Sequence, residues 1–360
     1  GSEMCIRDSF LYGEERNLAP GQFTSGVWPG AAVYWGGTKN GTGGALKKMV
    51  QVDLITGFLG AGKTTFLRRY VRYLVEQGHN VCILENDFGA VNVDAMLVQD
   101  LLGPNCDLET ISGGCDCDTH QRRMRTKLIS MAMRGFDRVV VEPSGIFDVD
   151  EFFDVLRDDP LDRWYRIGNV IAIVDAMLPE ALSPQAEYLL ASETANAGRV
   201  LLSRAPQAGP EQCRAAIAHL DRALEACKCS RRFAPDEILT RDWAALTDAD
   251  IAQIAACGMR QASCEKLHFD QHAAFTSLCF LELHLTPQQL QAAAQRLFAA
   301  PECGQVLRVK GFAPAPAGGW LELNATAAGK TLAPIPQGQD VLIVIGEGLD
   351  RARIETQLHR

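Results

Sequence analysis

The sequence predicts a doubly wound α/β domain with a mostly parallel sheet, followed by a smaller α+β domain. From Val50 onward, short and almost uniformly apolar runs alternate with helical segments, which is typical of strands covered by helices on both faces. After about Ala245 the pattern changes to an Ala-rich helical region and then a polar segment. The chain of 360 residues is also longer than a single core usually supports.

The strands of the first domain are predicted at β-branched and aliphatic runs. These runs are residues 50–56, 81–84, 138–141, 170–174 and 199–202. A helix is predicted over 63–77, because apolar residues recur there at helical spacing and Gly78 stands where a C-terminal cap is expected. Residues 57–62 then join the first strand to the first helix.

The second domain is predicted to begin with a strand over 277–285. Thr286, Pro287 and Gln289 supply an N-cap, a first-turn proline and a capping-box partner for the next helix. Further strands are predicted at 307–312, 320–323 and 341–345, with a short helix from Asp350. The predicted limits are 49–245 for the first domain, 246–274 for a linker and 275–360 for the second domain.

Residues 1–48 are predicted to lie outside both domains, since they are rich in Gly, Thr and Asn without sustained periodicity. The hexapeptide MCIRDS at 4–9 resembles translated adapter sequence, which would make Met49 the natural start. A natural extension is the alternative.

Charge and hydropathy argue against several classes of protein. The formal net charge of -9 and the pI near 5.4 argue against general nucleic-acid binding, which needs a surplus of Lys and Arg. We find no run of about 18 apolar residues, so we expect no transmembrane helix and no membrane partner. No charged-then-apolar signal peptide opens the chain, and we expect a cytoplasmic location. The 12 cysteines are scattered through a long chain, which favours free thiols or metal ligands over disulfides.

A glycine-rich segment, GFLGAGKT at 57–64, stands between the first strand and the first helix and fits the Walker A spacing. Its backbone N–H groups would face phosphates, Lys63 would reach the outer phosphates and Thr64 would bind Mg²⁺. The predicted nucleotide-binding residues are Gly57, Leu59, Gly60, Ala61, Gly62, Lys63, Thr64, Thr65, Gly145, Ser203 and Arg204. The expected ligands are therefore Mg²⁺ and a nucleoside triphosphate.

Acidic residues follow two of the neighbouring strands. Glu142 comes directly after the run 138–141 and is predicted to hold Mg²⁺ or its water, while Gly145 permits a close backbone approach to the γ-phosphate. Glu85 opens the run ENDFG at 85–89, where carboxylates could sense Mg²⁺, orient water or bind a second metal. We predict Lys63, Glu142 and Glu85 as catalytic; the alternatives are a capping carboxylate at Glu142 and a polar turn at Glu85.

These motifs, in this order, resemble the CobW-type GTPases. The motifs are GFLGAGKTT at 57–65, ENDFG at 85–89, GGCDC at 113–117, EPSG at 142–145 and VDA at 174–176. The stretches RVKGF at 308–312, WLELN at 320–324 and VIGEGLD at 344–350 are similar to the small C-terminal domain of that family. The resemblance implies slow GTP hydrolysis coupled to the delivery of a transition metal, zinc, cobalt or iron, to a client metalloprotein. It also implies a role related to cobalamin synthesis or to zinc.

Two departures from the family pattern affect the predicted sites. The family pattern CxCC reads Cys115, Asp116, Cys117, Asp118 here, so a transition-metal site would use Cys115, Cys117, Asp118 and His120; two ordinary loop cysteines are the alternative. After the strand at 199–202 the family places Asn-Lys-x-Asp, and this chain reads SRAP at 203–206. Base specificity, GTP or ATP, therefore stays open. Asp221 or Glu211 could replace the missing carboxylate, and Arg204 could stack on a purine.

A sparse cluster before the second domain, made of Cys257, Cys264, His268, Asp270 and His272, is a further metal-binding hypothesis. Its alternative is an exposed linker. Two other functions compete with the GTPase and metal-delivery interpretation. One is a nucleotide-binding regulatory or adaptor protein without metal transfer, and the other is an ATP-dependent small-molecule kinase.

Overall fold

The computed structural model describes residues 49–87, 94–112, 117–146, 149–265, 274–335 and 337–359, and within them the strands form two sheets. The first sheet consists of β1 (Val50–Thr56), β2 (Val81–Asp87), β3 (Cys106–Ser112), β4 (Arg138–Pro143), β5 (Tyr165–Asp175), β6 (Arg199–Ser203) and β7 (Ile238–Leu239). Its order is β3-β2-β4-β1-β5-β6-β7, and every neighbouring pair is parallel. The predicted doubly wound α/β fold is confirmed.

Helices cover both faces of this sheet. They are α1 (Lys63–Glu76), α2 (Asp94–Leu97), α3 (Cys117–Arg134), α4 (Val149–Arg157), α5 (Leu161–Trp164), α6 (Pro184–Ala195), α7 (Ala205–Ala226) and α8 (Asp248–Ile254). Successive side chains of a strand point to opposite faces, so Leu54 packs in one core and Ile55 in the other. The central strands are consequently apolar on both sides, as the sequence predicted.

The two edge strands β3 and β7 were missed by the sequence interpretation. β3 reads CDLETIS, and its charged side chains Asp107 and Glu109 form ion pairs with Arg134 of α3. β7 is only two residues long. Edge strands are short or carry charges because one side meets solvent or a helix end, which removes the apolar signal used to find the central strands.

The second sheet is antiparallel, with the order β11-β10-β9-β12-β8. Its strands are β8 (Thr276–Leu281), β9 (Gln305–Pro314), β10 (Trp320–Thr326), β11 (Gly329–Ile335) and β12 (Val341–Glu347), and its helices are α9 (Pro287–Ala299) and α10 (Arg351–Leu358). The capping box before α9 is confirmed: the Thr286 hydroxyl accepts from the Gln289 N–H at 3.3 Å, and the Gln289 side chain accepts from the Thr286 N–H at 2.9 Å. A smaller α+β domain is thereby confirmed.

The first strand of the second domain is shorter than the sequence suggested. The prediction of 277–285 was wrong at its C-terminal end, since β8 ends at Leu281. Glu282 and His284 adopt φ angles of 57° and 51°, and such left-handed backbone cannot continue a β ladder. β11 was not predicted at all, because its sequence GKTLAPI carries a proline and little apolar alternation.

Part of the predicted linker folds onto the first sheet. Ile251 and Ile254 of α8 are buried in the same core as Leu67 and Leu74 of α1. The limits of the two domains stay a prediction. Among the described residues, no helix combines the length and the apolar character needed to cross a membrane.

A disulfide joins Cys229 to Cys264, with their Cα atoms 4.1 Å apart. The expectation that the cysteines are thiols or metal ligands was therefore wrong for this pair. The backbone after α8 returns alongside the end of α7, where the Glu265 N–H donates to the Cys227 carbonyl at 2.8 Å. A separation of 35 residues between the two cysteines hides this proximity from the sequence.

The buried carboxylate of Asp53 connects three strands and α1. It accepts hydrogen bonds from the Tyr70 hydroxyl at 2.9 Å and from the Asn169 N–H at 2.8 Å, and it forms an ion pair with Arg138 at 2.7 Å. Burial, and next the charge of Asp53, raise the pKa of Tyr70 well above its usual value. The hydroxyl therefore stays protonated and donates to the carboxylate at neutral pH.

We expect Tyr70→Phe to lower the free energy of unfolding by about 1–3 kcal/mol, because one donor to a buried carboxylate is lost. Tyr73→Phe is the matched control, since Tyr73 lies on the same helix and is only partly buried. Urea denaturation followed by circular dichroism measures both. Equal midpoints for the two variants would show that the Tyr70 hydroxyl contributes nothing to stability.

Candidate functional site

The loop between β1 and α1 has a backbone that only glycine adopts easily. Gly57, Gly60 and Gly62 have φ angles of 141°, 71° and 103°, in the region that disfavours residues with a Cβ atom. A Cβ at Gly57 would also lie 2.2 Å from the Ile173 carbonyl oxygen. Gly62 is the N-cap residue of α1, so the loop leads directly into a helix N-terminus, where backbone N–H groups and the helix dipole favour anions.

Lys63 and Thr64 open α1 beside this loop. Lys63 is 6% exposed, and its Nζ atom donates to the Gly57 carbonyl at 2.6 Å. The Thr64 hydroxyl donates to Glu142 Oε1 at 2.8 Å. The Thr64 hydroxyl and the Glu142 carboxylate are therefore two adjacent oxygen ligands for a cation. They lie next to Lys63 at the start of α1.

Glu142 and Glu85 lie side by side on neighbouring strands. They are register partners in the parallel pairing of β4 with β2, and both are buried, at 5% and 2% exposure. The strand pairing thus brings two predicted catalytic carboxylates together. Their roles stay a prediction.

Gly145 packs directly against the loop. A Cβ at this position would lie 2.6 Å from the Leu59 nitrogen and 2.8 Å from Lys63 Nζ. Gly145, two residues after the end of β4, is therefore within contact distance of the predicted phosphate-binding backbone.

A cavity of about 40 Å³ lies beyond these residues and has room for a few water molecules. Lys63, Glu85 and Glu142 line it together with Arg308 and Lys310 of β9. The sequence singled out RVKGF at 308–312 only as a family resemblance, and gave no signal that its basic residues reach this cavity.

The residues predicted to recognise the base are only partly available to a ligand. Ser203 is buried at 5% exposure, and Arg204 donates from Nε to Asp175 Oδ1 at 2.9 Å. The Arg204 guanidinium therefore forms an ion pair with the Asp175 carboxylate of the VDA motif. Asp221 and Glu211, named as replacements for the missing carboxylate, lie along α7.

Two residues near the loop were missed by the sequence interpretation. The Trp243 ring would be 3.6 Å from a Cβ at Gly62 and packs edge-on against Phe66. Asp242 lines a cleft that also contains Pro206 at the start of α7. Both follow the short edge strand β7, whose absence from the prediction hid them.

The predicted transition-metal ligands lie mostly outside what the structure describes. Cys115 falls outside the described residues, and Cys117 and Asp118 begin α3. His120 is 2% exposed, and its Nε2 atom lies against the side-chain oxygen of Asn86. In the described part of the chain, no group of three His, Cys, Asp or Glu side chains is arranged to hold a metal ion.

The second metal hypothesis loses Cys264 as a ligand. Cys264 is in the disulfide with Cys229, while His268, Asp270 and His272 lie outside the described residues. Burial, and next the charge of Asp53, raise the pKa of Cys257 to about 12. A thiol with so high a pKa is a poor metal ligand, because metals bind the thiolate.

The glycine loop, Lys63 and the Thr64–Glu142 contact at the carboxyl ends of parallel strands define a P-loop nucleotide-binding protein. The family model described as CobW/HypB/UreG, nucleotide-binding domain, matches residues 51–233, just over half of the chain. The chain belongs to the CobW/HypB/UreG family, and the predicted CobW-type resemblance is confirmed.

The chain is also similar to curated relatives and to solved structures. The zinc chaperone YjiA of Escherichia coli (strain K12) is 32% identical over 171 residues, 44% of this chain and 51% of that protein. The zinc chaperone CobW of Pseudomonas aeruginosa is 28% identical over 355 residues, 85% of this chain and 90% of that protein. The crystal structure of Zn(II)-bound YjiA GTPase is 21% identical, covering 86% of this chain and 98% of that chain, with a TM-score of 0.35. The sequence alignment with YjiA, unlike the structural one, spans only about half the length of that relative.

The oxygen donors at the start of α1 fit Mg²⁺. Mg²⁺ prefers hard oxygen ligands and keeps several waters, so it is usually held by one or two protein oxygens together with substrate phosphates. The Thr64 hydroxyl and the Glu142 carboxylate, 2.8 Å apart, supply this type of donor beside Lys63.

We expect Gly145→Ala to weaken binding of a nucleoside triphosphate by about tenfold or more, on the order of one lost charged hydrogen bond. The new methyl group would overlap the Leu59 nitrogen and Lys63 Nζ. Gly103→Ala is the control, because a Cβ there meets nothing within 4 Å. Titration with a fluorescent nucleotide measures both, and unchanged affinity in Gly145→Ala would contradict the close approach.

We expect Cys257 to react very slowly with a maleimide at pH 8. With a pKa of about 12, only about one thiol in ten thousand is ionised at that pH. Mass-spectrometric mapping before and after unfolding in urea provides the comparison. Cys257→Ser should leave zinc affinity unchanged. Rapid labelling of the folded protein, or a loss of zinc binding in the variant, would contradict this expectation and support Cys257 as a metal ligand.

Proposed function

We propose that this protein is a slow GTPase that couples the binding of a Mg²⁺-nucleotide to the binding and delivery of zinc to a client metalloprotein. The observation that carries the nucleotide part is the contact between Thr64 and Glu142 at 2.8 Å, beside a glycine loop that ends at a helix N-terminus. Membership of the CobW/HypB/UreG family supports the same proposal.

In this proposal the loop binds the phosphate chain. The N–H groups of Leu59 to Thr65 surround the β-phosphate, and Lys63 neutralises charge on the outer phosphates. Because Lys63 now donates to the Gly57 carbonyl, a phosphate oxygen competes with that carbonyl for the ammonium group. Mg²⁺ held through Thr64 and Glu142 would supply charge neutralisation at the β- and γ-oxygens.

Glu85 is the proposed residue for positioning water. It lies next to Glu142 in the strand register and lines the cavity beyond Lys63. A buried carboxylate at this place can accept a hydrogen bond from water and orient it toward the γ-phosphate. The expected rate is slow, in the range that P-loop GTPases show without an activating partner protein.

Guanine is the proposed base, on the strength of family membership, although the base-recognition element is altered. Pro206 follows Arg204 and Ala205 where the family pattern ends in a carboxylate, and Arg204 is held by Asp175. The cleft beside Pro206 also contains Asp242. Competition between GTP and ATP for binding tests whether the protein still prefers guanine with this altered base-recognition element.

Zinc is the proposed cargo because relatives carry names such as zinc chaperone and zinc-regulated GTPase metalloprotein activator 1. Cys115, Cys117, Asp118 and His120 are the proposed ligands. His120 is linked to the end of β2 through Asn86, the residue after Glu85. Exchange of GTP for GDP beside Glu85 can therefore shift Asn86 and, through it, His120 near the start of α3. The proposed metal ligands are close together in sequence there.

Two titrations test this function. We expect Mg²⁺-dependent binding of GTP, and we expect Thr64→Val to weaken it by about tenfold or more while keeping the side-chain shape. Zinc affinity should differ between the GTP-analogue and GDP forms, and the Cys115→Ser, Cys117→Ser double variant should lose that difference.

Cys227→Ser is the control for the metal titration, because Cys227 is a free, partly buried cysteine of the described chain. Absence of Mg²⁺-dependent nucleotide binding would refute the GTPase proposal. Normal nucleotide binding together with a zinc affinity that ignores the nucleotide would favour the regulatory or adaptor alternative.

A further inference from the structure

The two faces of the C-terminal sheet have different chemistry. On one face, Val309 of β9, Leu323 of β10 and Val344 of β12 pack with the helices α9 and α10 in an apolar core. Side chains alternate along a strand, so Arg308, Lys310 and Phe312 of β9 belong to the opposite face. Phe312 packs there with Ile343 and with Met96 of α2, which follows β2. This second face therefore contacts the nucleotide-binding part of the chain.

Lys310 is buried on that face, at 2% exposure. Its Nζ atom is 3.3 Å from Glu322 Oε1 on β10, and it lines the cavity that Lys63, Glu85 and Glu142 also line. Arg308 lines the same cavity and donates from Nε to the Asn324 side chain at 3.1 Å. Lysine and arginine are rarely so buried unless their charge is used or balanced.

The charges around the cavity make it suited to an anion that arrives with a cation. Glu85 and Glu142 oppose binding of a bare phosphate, while Lys63, Arg308 and Lys310 favour it. Glu142 is the carboxylate next to Thr64, so a divalent cation bound there would remove the repulsion. The outermost phosphate of a Mg²⁺-triphosphate would then meet cationic side chains from the loop and from the C-terminal sheet in one cavity.

We propose that Lys310, assisted by Arg308, is a second cationic arm of the phosphate site, contributed by the C-terminal sheet, and that it recognises the γ-phosphate. A diphosphate would end at the glycine loop, without a group for this arm to contact. The C-terminal sheet thereby distinguishes triphosphate from diphosphate. This inference rests on the proposed nucleotide binding. It adds to it a residue, Lys310, whose contacts differ between the bound triphosphate and the bound diphosphate.

The test compares affinities for a non-hydrolysable GTP analogue and for GDP, both with Mg²⁺, by calorimetry on the full chain. We expect Lys310→Met to weaken binding of the GTP analogue by about ten- to a hundredfold, as for a lost charged hydrogen bond. GDP affinity should change by less than about threefold. The ratio of the two affinities is the readout, since a general defect in folding would lower both together.

Two further variants separate the phosphate role from the contact within the sheet. Lys310→Met combined with Glu322→Gln removes both members of the ion pair, and it should show the same loss of preference for the triphosphate. Lys330→Met removes an exposed lysine of β11 and should change neither affinity. Equal losses for the two nucleotides, recovery of the preference in the double variant, or no loss in Lys310→Met would each overturn the inference.

The wild-type titration keeps this result separate from the proposed function. If the wild-type protein binds neither nucleotide, the proposed function fails and the inference fails with it. If the wild-type protein binds both nucleotides and Lys310→Met keeps the wild-type ratio, the inference alone fails.

Discussion

The parallel register of β1, β4 and β2 is the constraint on which the site depends. Leu54 of β1 pairs with Val141 of β4, and Glu142 pairs with Glu85 of β2. The carboxyl ends of the three strands therefore meet beside the glycine loop that follows β1. Because side chains alternate along a strand, a slip of one residue would bring an apolar neighbour of Glu142 to the loop. The hydrophobic cores on both sides of the sheet prevent that slip.

The buried Asp53 shows how the strand that precedes the loop is fixed. Burying a carboxylate is costly unless hydrogen bonds and an opposite charge satisfy it, and Arg138, Tyr70 and Asn169 come from three elements that surround β1. The same interactions that compensate the charge therefore hold β1 against β4, β5 and α1. A phosphate-binding loop needs such a rigid base, because its backbone N–H groups must keep their directions when the ligand is absent.

The fold and the loop could be predicted from the sequence because their signals are local. Central strands are apolar on both faces, and the glycine loop has fixed spacing between a strand and a helix. The edge strand β3, the disulfide of Cys229 with Cys264, and the approach of Lys310 to the cavity depend on residues far apart in the chain. No local pattern encodes such pairs. The end of β8 was misjudged for another reason, since the left-handed backbone at Glu282 occurs in a residue type that does not usually adopt it.

The position of the C-terminal sheet explains why a second domain belongs next to a phosphate site. A loop that binds only the inner phosphates holds the diphosphate and triphosphate forms in much the same way, so a state-dependent response needs a group on the far side of the γ-phosphate. Arg308 and Lys310 line the same cavity as Lys63, and Phe312 on the same face of the sheet packs with Met96 of α2. Asn86 at the end of β2 lies against His120 of α3. The end of β2 thus lines the cavity and contacts the helix that carries the proposed metal ligands, while α2 after it packs on the C-terminal sheet. In the proposed function, this connection would couple nucleotide and metal.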